Sequence, residues 1–288
     1  MAVLLDRNAR VLAVNAVGAY GRAQVQFAAQ TGTNIVAHAA AGRGGSRVDG
    51  LPVFESVAEA VAATSANAAL IYTPAMGARD AIVECADAGL RLATAAAEFV
   101  PLHDTLYAVA YARERSLWIS GPNTVGIVTP GQAMLGAIPP GMTMPGRVGV
   151  IGRSGTLTMT VAATLTRAGI GQSTIVHVGG DALCGRNPHE WLQLFLADPE
   201  TDAVLYVGEI GGTKEYSMLD LIGTATKPVL ALIAGRHAPV GKRMGHAGAL
   251  VGGERETAKA KMAALQEAGA TIARSPAELA DKTREMLQ

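Results

Sequence analysis

Residues 147–160 read RVGVIGRSGTLTMT. An apolar run, RVGVIG, passes straight into Ser154-Gly155-Thr156, a serine followed by two small residues at the mouth of a helical stretch. Serine is a favoured helix N-cap. The amide N–H groups and the positive dipole end at such a start suit an anion. A strand delivered directly into a helix is the first half of a βα unit. Repeated along a chain, such units make a parallel sheet, because parallel strands need crossover connections.

The same alternation extends in both directions. After Ser154 come the strands STIVHVG from Ser173, AVLYVGEI from Ala203, PVLALIA from Pro228 and TIARS from Thr271. Helical stretches follow Gly155, Asn187, Lys214 and Glu254, and SPAELADKTREML closes the series with a helix start at Ser275-Pro276. Before Arg147 a first series reads RVLAVNAV from Arg10, NIVAHA from Asn34, AALIYT from Ala68, RLATAA from Arg91 and LWIS from Leu117, with RAQVQFAAQTG, VAEAVAATS, ARDAIVECADAG and TLYAVAYARER as helices between them. Between the series lies Gly121–Gly146, dense in Gly and Pro and poor in helix signals, which reads as an interdomain connection. The expectation is two doubly wound α/β domains, divided as residues 1–125 and 126–288.

Composition agrees with two filled cores. The chain has 288 residues, of which 49% are hydrophobic and 17% charged. Its 24 basic residues cancel 24 acidic ones, and no charged run stands out, so neither nucleic acid nor a membrane surface is indicated as a partner. Two cysteines, Cys85 and Cys184, are too few for a disulfide framework and too distant for a paired metal motif. No metal site is expected. Asp6 and Arg7 interrupt the start before a long apolar core develops, and no later run approaches a membrane span, so the chain reads as cytoplasmic.

Three places carry candidate chemistry. The turn NAVGAYGRAQ sets Gly18 and Gly21 at a helix mouth, either to receive a pyrophosphate or to pack a tight turn. The end of the second strand, VAHAAAGRGGSR, has no acidic residue about 20 residues past the glycines, where an NAD-binding fold has one, and offers Arg43 and Arg47 instead. That suits a phosphorylated ribose, as in NADP or coenzyme A; the alternative is a solvated loop face. In the second series LYVGEIGGT ends a strand on Glu209, and GKRMGHAGAL sets His246 among glycines. Ligands of open α/β sheets sit outside the carboxyl ends of the strands. Ser154, Glu209 and His246 are therefore expected on one edge: His246 as a phosphoryl nucleophile, Glu209 bonded to its other ring nitrogen, and Ser154, Gly155 and Thr156 around the phosphate. Their bland counterparts are a helix cap, a strand-end glutamate in solvent and a loop histidine.

GRSGTLT, GGD at Gly179–Asp181, GEIGG, GKRMGHAGA, GLPVFESVAEAVAAT and GPN together resemble the succinyl-CoA synthetase α-subunit family and its relatives, the dicarboxylate–CoA ligases such as malate–CoA ligase. The resemblance runs from LLDRNARV to the C-terminus. It implies a Rossmann-like CoA-binding domain followed by a flavodoxin-like ligase domain that carries a phosphohistidine. His246 matches the phosphorylated residue and Glu209 its orienting glutamate. The CoA contacts fall on Val17, Gly18, Ala19, Tyr20, Arg43, Ala96, Ala97 and Glu98, and the substrate side on Met159, Gly179 and Gly180. ATP or GTP with Mg²⁺ is implied on an ATP-grasp β subunit, in an αβ or α₂β₂ assembly.

The departures from that family bear on the acid. Asn15-Ala16-Val17-Gly18 stands for Gly-Phe-Thr-Gly, and Arg43 for a lysine. Met159-Thr160 replace Tyr-Glu after SGTLT, while HVGGDALCG brings His177 and Cys184 where the family has GIGGDPIPG. A changed acid substrate is the inference, His177 being either a partner for it or a packed strand residue. Three readings follow: the α subunit of a CoA ligase for a small dicarboxylate, a CoA-binding regulatory protein whose ligase activity has lapsed, and an NADP-dependent Rossmann oxidoreductase. The second-domain motifs oppose the last.

Overall fold

The computed structural model describes residues 3–239, 241–245 and 248–287. The chain divides into two compact units. One spans Leu4–Pro139 with Leu183–Gly185, and the other Pro140–Ala182 and the chain from Arg186 onward, joined by Val3. The expected boundary at 125/126 falls within the first unit, whose contacts run on to Pro139.

In the first unit the strands are β1 (Arg10–Val14), β2 (Asn34–Ala39), β3 (Arg47–Val48), β4 (Leu51–Phe54), β5 (Ala68–Ile71), β6 (Leu92–Ala95) and β7 (Trp118–Ser120), and the helices α1 (Ala19–Gln30), α2 (Val57–Thr64), α3 (Ala78–Asp87) and α4 (Leu102–Glu114). The sheet order is β3-β4-β2-β1-β5-β6-β7. Within this seven-stranded sheet the β3–β4 pair is antiparallel and the other pairs are parallel. Strands β5 and β6 are buried along their whole length, which is why they read as continuous apolar runs rather than alternating ones. Val14 pairs with Ala39 and Ile71, and Ile71 with Ala95, so these strands end level with one another. The loops starting at Asn15, Ala40, Tyr72 and Ala96 therefore leave from one edge.

Two hairpins lie where only loops were expected. Asp49 (φ 50°) and Gly50 (φ 82°) turn β3 into β4, an Asp-Gly pair with both residues left-handed, the type I′ preference. Within the supposed connection, β8 (Gly126–Thr129) and β9 (Ala133–Gly136) pair antiparallel around Pro130-Gly131-Gln132, with Gly131 at φ 74°. The dense Gly and Pro there mark this pairing rather than a linker: a Cβ on Gly126 would sit 1.8 Å from Leu135 O. Glycine in a strand often signals a close backbone approach of this kind.

The second unit has β10 (Pro145–Gly152), β11 (Gln172–His177), β12 (Ala203–Glu209), β13 (Val229–Ala234) and β14 (Thr271–Ala273), with α5 (Gly155–Arg167), α6 (Pro188–Ala197), α7 (Leu219–Gly223), α8 (Ala258–Glu267) and α9 (Pro276–Met286). Its five strands run parallel in the order β14-β13-β12-β10-β11. The helical stretch after Lys214 is a 3₁₀ turn, Lys214–Met218, that leads into the short α7. Ser275 caps α9 as read from the sequence, accepting from Glu278 N at 3.1 Å. Trp191 and Phe195 of α6 are fully buried, and Phe195 lies so close to β10 that a Cβ on Gly149 would meet its ring at 2.4 Å. Among the described residues no helix is long and apolar enough to cross a membrane.

Candidate active site

The edge of the first unit is built around the mouth of α1. Gly18 caps that helix without a side-chain hydrogen bond, and a Cβ there would meet nothing within 4 Å, whereas one on Gly21 would lie 2.7 Å from Ala16 Cα. The two glycines thus separate the two readings of the turn: Gly21 is needed for packing, and Gly18 leaves room in front of the amides. Asn15 adopts φ 53° and its Nδ2 donates to Thr73 Oγ1 at 2.8 Å. Asparagine is among the few side chains that tolerate this left-handed geometry, so it can stand where the resembled family has glycine.

Beside it, Tyr20 is 69% exposed and meets Tyr72 edge-on, with ring centroids 6.1 Å apart. Tyr20, Tyr72, Thr73, Ala96, Ala97 and Glu98 line one cavity of about 320 Å³, so four of the eight expected CoA contacts share a pocket. Arg43 is exposed on the Gly42–Gly45 loop. That loop is held from below: Glu55 accepts from Gly42 N at 2.5 Å and Gly44 N at 3.0 Å. These two amides keep the Glu55 carboxyl below its ordinary pKa. Arg47, by contrast, spends its guanidinium on Gly50 O within the hairpin. Both arginines are exposed, Arg43 on the loop fastened by Glu55 and Arg47 within the hairpin.

The edge of the second unit is the more buried. Ser154 is the N-cap of α5, its hydroxyl accepting from Leu157 N at 3.4 Å, with Gly155 buried and Thr156 exposed in the first turn. Met159 is half-buried and Thr160 exposed, the Thr160 hydroxyl donating to Thr156 O. His177 ends β11 buried, its Nε2–H donating to Arg153 O at 3.1 Å, as a packed strand histidine does. Cys184 is buried and groups with the first unit. Gly179 and Gly180 are buried on the loop after β11, and Gly179 takes φ 128°, which few other residues adopt.

Glu209 closes β12 and is 6% exposed. His246 and Ala247 lie outside the described residues, whereas Gly245 before them and Gly248 after them are described. Met244 N donates to Ala249 O at 2.9 Å. Gly248 fits where a Cβ would come 3.2 Å from Arg153 Nη2 and 3.4 Å from Gly180 O, and a Cβ on Gly211 would reach Gly248 O at 1.9 Å. The segment carrying His246 is therefore anchored at Gly248 against the loops that follow β10, β11 and β12. Glu209, Leu157, Met244 and Ala249 also share the lining of a cavity of about 560 Å³ with Arg236, His237 and Arg274.

Three residues that sequence reasoning passed over dominate the charge here. Arg153 is 1% exposed, Glu215 1% and Lys261 0%. Arg153 Nη1 donates to Glu215 Oε1 at 3.0 Å and to Gly211 O at 3.1 Å, and Nη2 stands 3.8 Å from Glu209 Oε1. Lys261 Nζ lies 2.7 Å from Glu215 Oε2 and donates to Glu209 O and Gly211 O, while Tyr206 OH donates to Glu215 Oε1 at 2.8 Å. Burial alone would raise the Glu215 pKa, but Arg153 and Lys261 bring it below its ordinary value. Burial works against the charge on Arg153 too, yet Tyr206, Glu215 and Glu209 hold its pKa up. For Lys261 burial outweighs Glu215 and the pKa falls. Lys261 nevertheless donates to two carbonyls and stands 2.7 Å from the Glu215 carboxylate, surroundings that suit an ammonium. The available signals were adjacency alone: Arg153 abuts the Ser154 cap, and Glu215 follows the Gly211-Gly212 pair. Lys261 sits mid-helix with no local mark.

Residues 13–99 match the CoA binding domain family and residues 151–271 the CoA-ligase family. Over its full length the chain is 45% identical to succinate–CoA ligase [ADP-forming] subunit alpha 1 of Archaeoglobus fulgidus, covering 99% of that protein. The corresponding subunit alpha of Aquifex aeolicus is 42% identical, with 95% of it covered. The chain belongs to the CoA-ligase α-subunit family. Among solved structures, ATP citrate lyase of Methanosaeta concilii in complex with (3S)-citryl-CoA superposes with a TM-score of 0.86 at 25% identity, over 99% of this chain and 51% of that one. This chain thus spans about half the length of that lyase. A dinucleotide-forming acetyl-coenzyme A synthetase of Ca. Korarchaeum cryptofilum, 19% identical with a TM-score of 0.72 over 93% of this chain and 59% of that one, shares the fold. The two families bear out the fold expected from the sequence, and the membership removes the NADP oxidoreductase that Arg43 and Arg47 alone would have allowed.

Proposed function

We propose that the chain is the α subunit of an ADP- or GDP-forming ligase that joins a small dicarboxylic acid to coenzyme A through a phosphohistidine on His246. The observation that carries the reading is the anchoring of Gly248, two residues beyond His246, against Arg153 and Gly211 on the edge that also holds Glu209 and the α5 N-terminus. Relatives along the whole chain named as succinate–CoA ligase α subunits support it.

The imidazole nitrogen of His246 attacks the γ-phosphorus of ATP or GTP; an N–P bond forms, a P–O bond breaks and the nucleoside diphosphate leaves. Glu209 accepts a hydrogen bond from the other ring nitrogen, favouring the charge that develops on phosphorylation. The amides of Ser154–Thr156 at the start of α5 stabilise the phosphoryl oxygens. A substrate carboxylate then takes the phosphoryl group as an acyl phosphate and frees the imidazole. Thiolate attack on its carbonyl carbon forms the thioester and expels inorganic phosphate. The acid is succinate, malate or a near relative; Met159 and Thr160, with the glycines Gly179 and Gly180, give its site a less polar wall than the Tyr-Glu pair of the resembled family.

Coenzyme A falls to the first unit, through Val17, Gly18, Ala19, Tyr20, Arg43 and Ala96–Glu98, and phosphoryl chemistry to the second. Arg43 offers a planar fork for a CoA phosphate where lysine offers a point charge. Among the described residues no three His, Cys, Asp or Glu side chains gather as a metal site. We assign Mg²⁺, with its neutralisation of nucleotide charge, to an ATP-grasp β subunit of a cytoplasmic αβ or α₂β₂ assembly.

The test mixes the chain with its β subunit and Mg·ATP or Mg·GTP and seeks acid-labile phosphate on His246 by mass spectrometry, with His246→Asn as control. Phosphate that discharges on adding CoA and one acid from a panel is the expected result and names the acid. Absence of phosphate in a complex whose β subunit serves another α subunit would overturn the reading, leaving a CoA-binding regulatory protein.

A further inference from the structure

We propose that Glu215 is a positioning residue for the phosphoryl-transfer step: it absorbs the charge of Arg153 and Lys261, so that both cations fix the main chain under Glu209 without claiming its carboxylate. The inference rests on the phosphohistidine reading above and adds a residue that touches no reactant.

The donor inventory carries the argument. Lys261 Nζ donates to Glu209 O (2.9 Å) and Gly211 O (2.7 Å) and forms an ion pair with Glu215 Oε2 at 2.7 Å. Arg153 Nη1 donates to Gly211 O and Glu215 Oε1. Two buried cations thus grip the backbone on both sides of Ile210, and that grip sets where the Glu209 side chain starts. Nη2 comes only to 3.8 Å of Glu209 Oε1, an ion-pair distance beyond a hydrogen bond. Two positive and two negative side chains balance, and with the Tyr206 hydroxyl included, three of the four contacts to a side-chain carboxylate fall on Glu215.

Removing the charge on Glu215 leaves two buried cations facing one carboxylate. A glutamine there retains one acceptor oxygen but turns an NH₂ group toward Arg153 or Lys261, donor against donor. The nearest remaining anion is Glu209, so Arg153 closes the 3.8 Å gap onto it. Glu209 then serves the guanidinium in place of the imidazole. The phosphorylated ring loses the acceptor that favours its protonated, better leaving form, and the ring titrates at lower pH.

The experiment uses the αβ complex. The phosphorylated chain is prepared with Mg·ATP, and its discharge to CoA plus acid is timed across pH for wild type, Glu215→Gln, Glu209→Gln and the double variant, with the KM for CoA alongside. We expect Glu215→Gln to slow discharge about tenfold, to move the limb that reports the ring about one pH unit lower, and to leave the KM for CoA unchanged. The double variant should be no slower than Glu209→Gln alone, because Glu215 acts through Glu209. Multiplying losses, or an unchanged pH limb with lowered thermal stability only, would overturn the proposal and assign Glu215 a structural role. If Glu215→Gln does not fold, Tyr206→Phe removes one bond to Glu215 at nearly constant volume. A smaller slowing of the same kind is then expected, and wild-type discharge overturns the proposal. Failure of wild type to acquire phosphate strikes the phosphohistidine reading itself, whereas phosphorylated wild type with an additive cycle strikes only the role of Glu215.

Discussion

The two sheet edges are built from the same βα logic and solve opposite problems. In the first unit the candidate groups are exposed: Gly18 in open space, Tyr20 69% exposed and Arg43 on a loop fastened by Glu55. In the second they are withdrawn, with Arg153, Glu215 and Lys261 at 1% exposure or less and Glu209 at 6%. A ligand that comes and goes intact can be held by solvated amides and one arginine. A group that accepts a phosphoryl needs charges already desolvated and fixed before it arrives, since preorganised dipoles and charges cost no rearrangement at the moment of reaction. The difference separates a binding edge from a reacting edge.

Substitutions should respect that division, and the largest effect belongs to the buried edge. Arg153→Leu removes the cation from a neutral cluster and strands Glu215 with Lys261 alone. Breaking a buried pair from one side costs about 3–5 kcal/mol, to be read in chemical denaturation; a loss below about 1 kcal/mol would mean that water already reaches the cluster. At the exposed edge the equivalent test is Gly21→Ala against Gly18→Ala. The first drives a methyl to 2.7 Å from Ala16 Cα and should cost about 1–3 kcal/mol as an overpacking. The second adds a methyl to open space, should leave stability unchanged and should weaken CoA binding measured by calorimetry. Equal effects would erase the distinction between packing glycine and binding glycine.

The sequence exposed the strands well and the charges poorly, for one physical reason. Strands such as Ala68–Ile71 and Val229–Ala234 are buried on both faces and announce themselves as apolar runs. The β8–β9 hairpin escaped because Gly126 and Gly136, which let its backbones approach, look like loop residues. Ser154 and Glu209 were legible because each sits at the junction of an apolar run with glycines. Lys261 was not: in helix α8 it resembles any solvated lysine, and only the fold turns it inward to Glu209 O, 52 residues away in sequence. A buried ion network is a tertiary fact, written in pairs that no local pattern links.

Arg43→Ala should weaken CoA about tenfold, the scale of one charge-assisted contact of roughly 1.4 kcal/mol, with His246 phosphorylation and thermal stability unmoved. Loss of phosphorylation in that variant would contradict the separation of the two edges.

The smallest effect is expected from the residue that holds Arg43 in place. Glu55 is exposed, and its carboxylate accepts from Gly42 N and Gly44 N, which depress its pKa below the ordinary 4.5. For an acid whose folded pKa is depressed, the contribution is present above the ordinary value and fades as pH falls through the folded one. CoA affinity of the wild type should therefore stay level from neutrality down to about the ordinary carboxylate range and weaken below it. Glu55→Gln keeps one acceptor oxygen but not two. It should weaken CoA two- to threefold at neutral pH and flatten that acid limb, both measured by equilibrium binding from pH 3.5 to 7. If Glu55→Gln binds as wild type does at every pH, then the loop holds its shape without the carboxylate. The exposed edge would then be preorganised by its glycine backbone alone, leaving charge as a structural material only in the buried one.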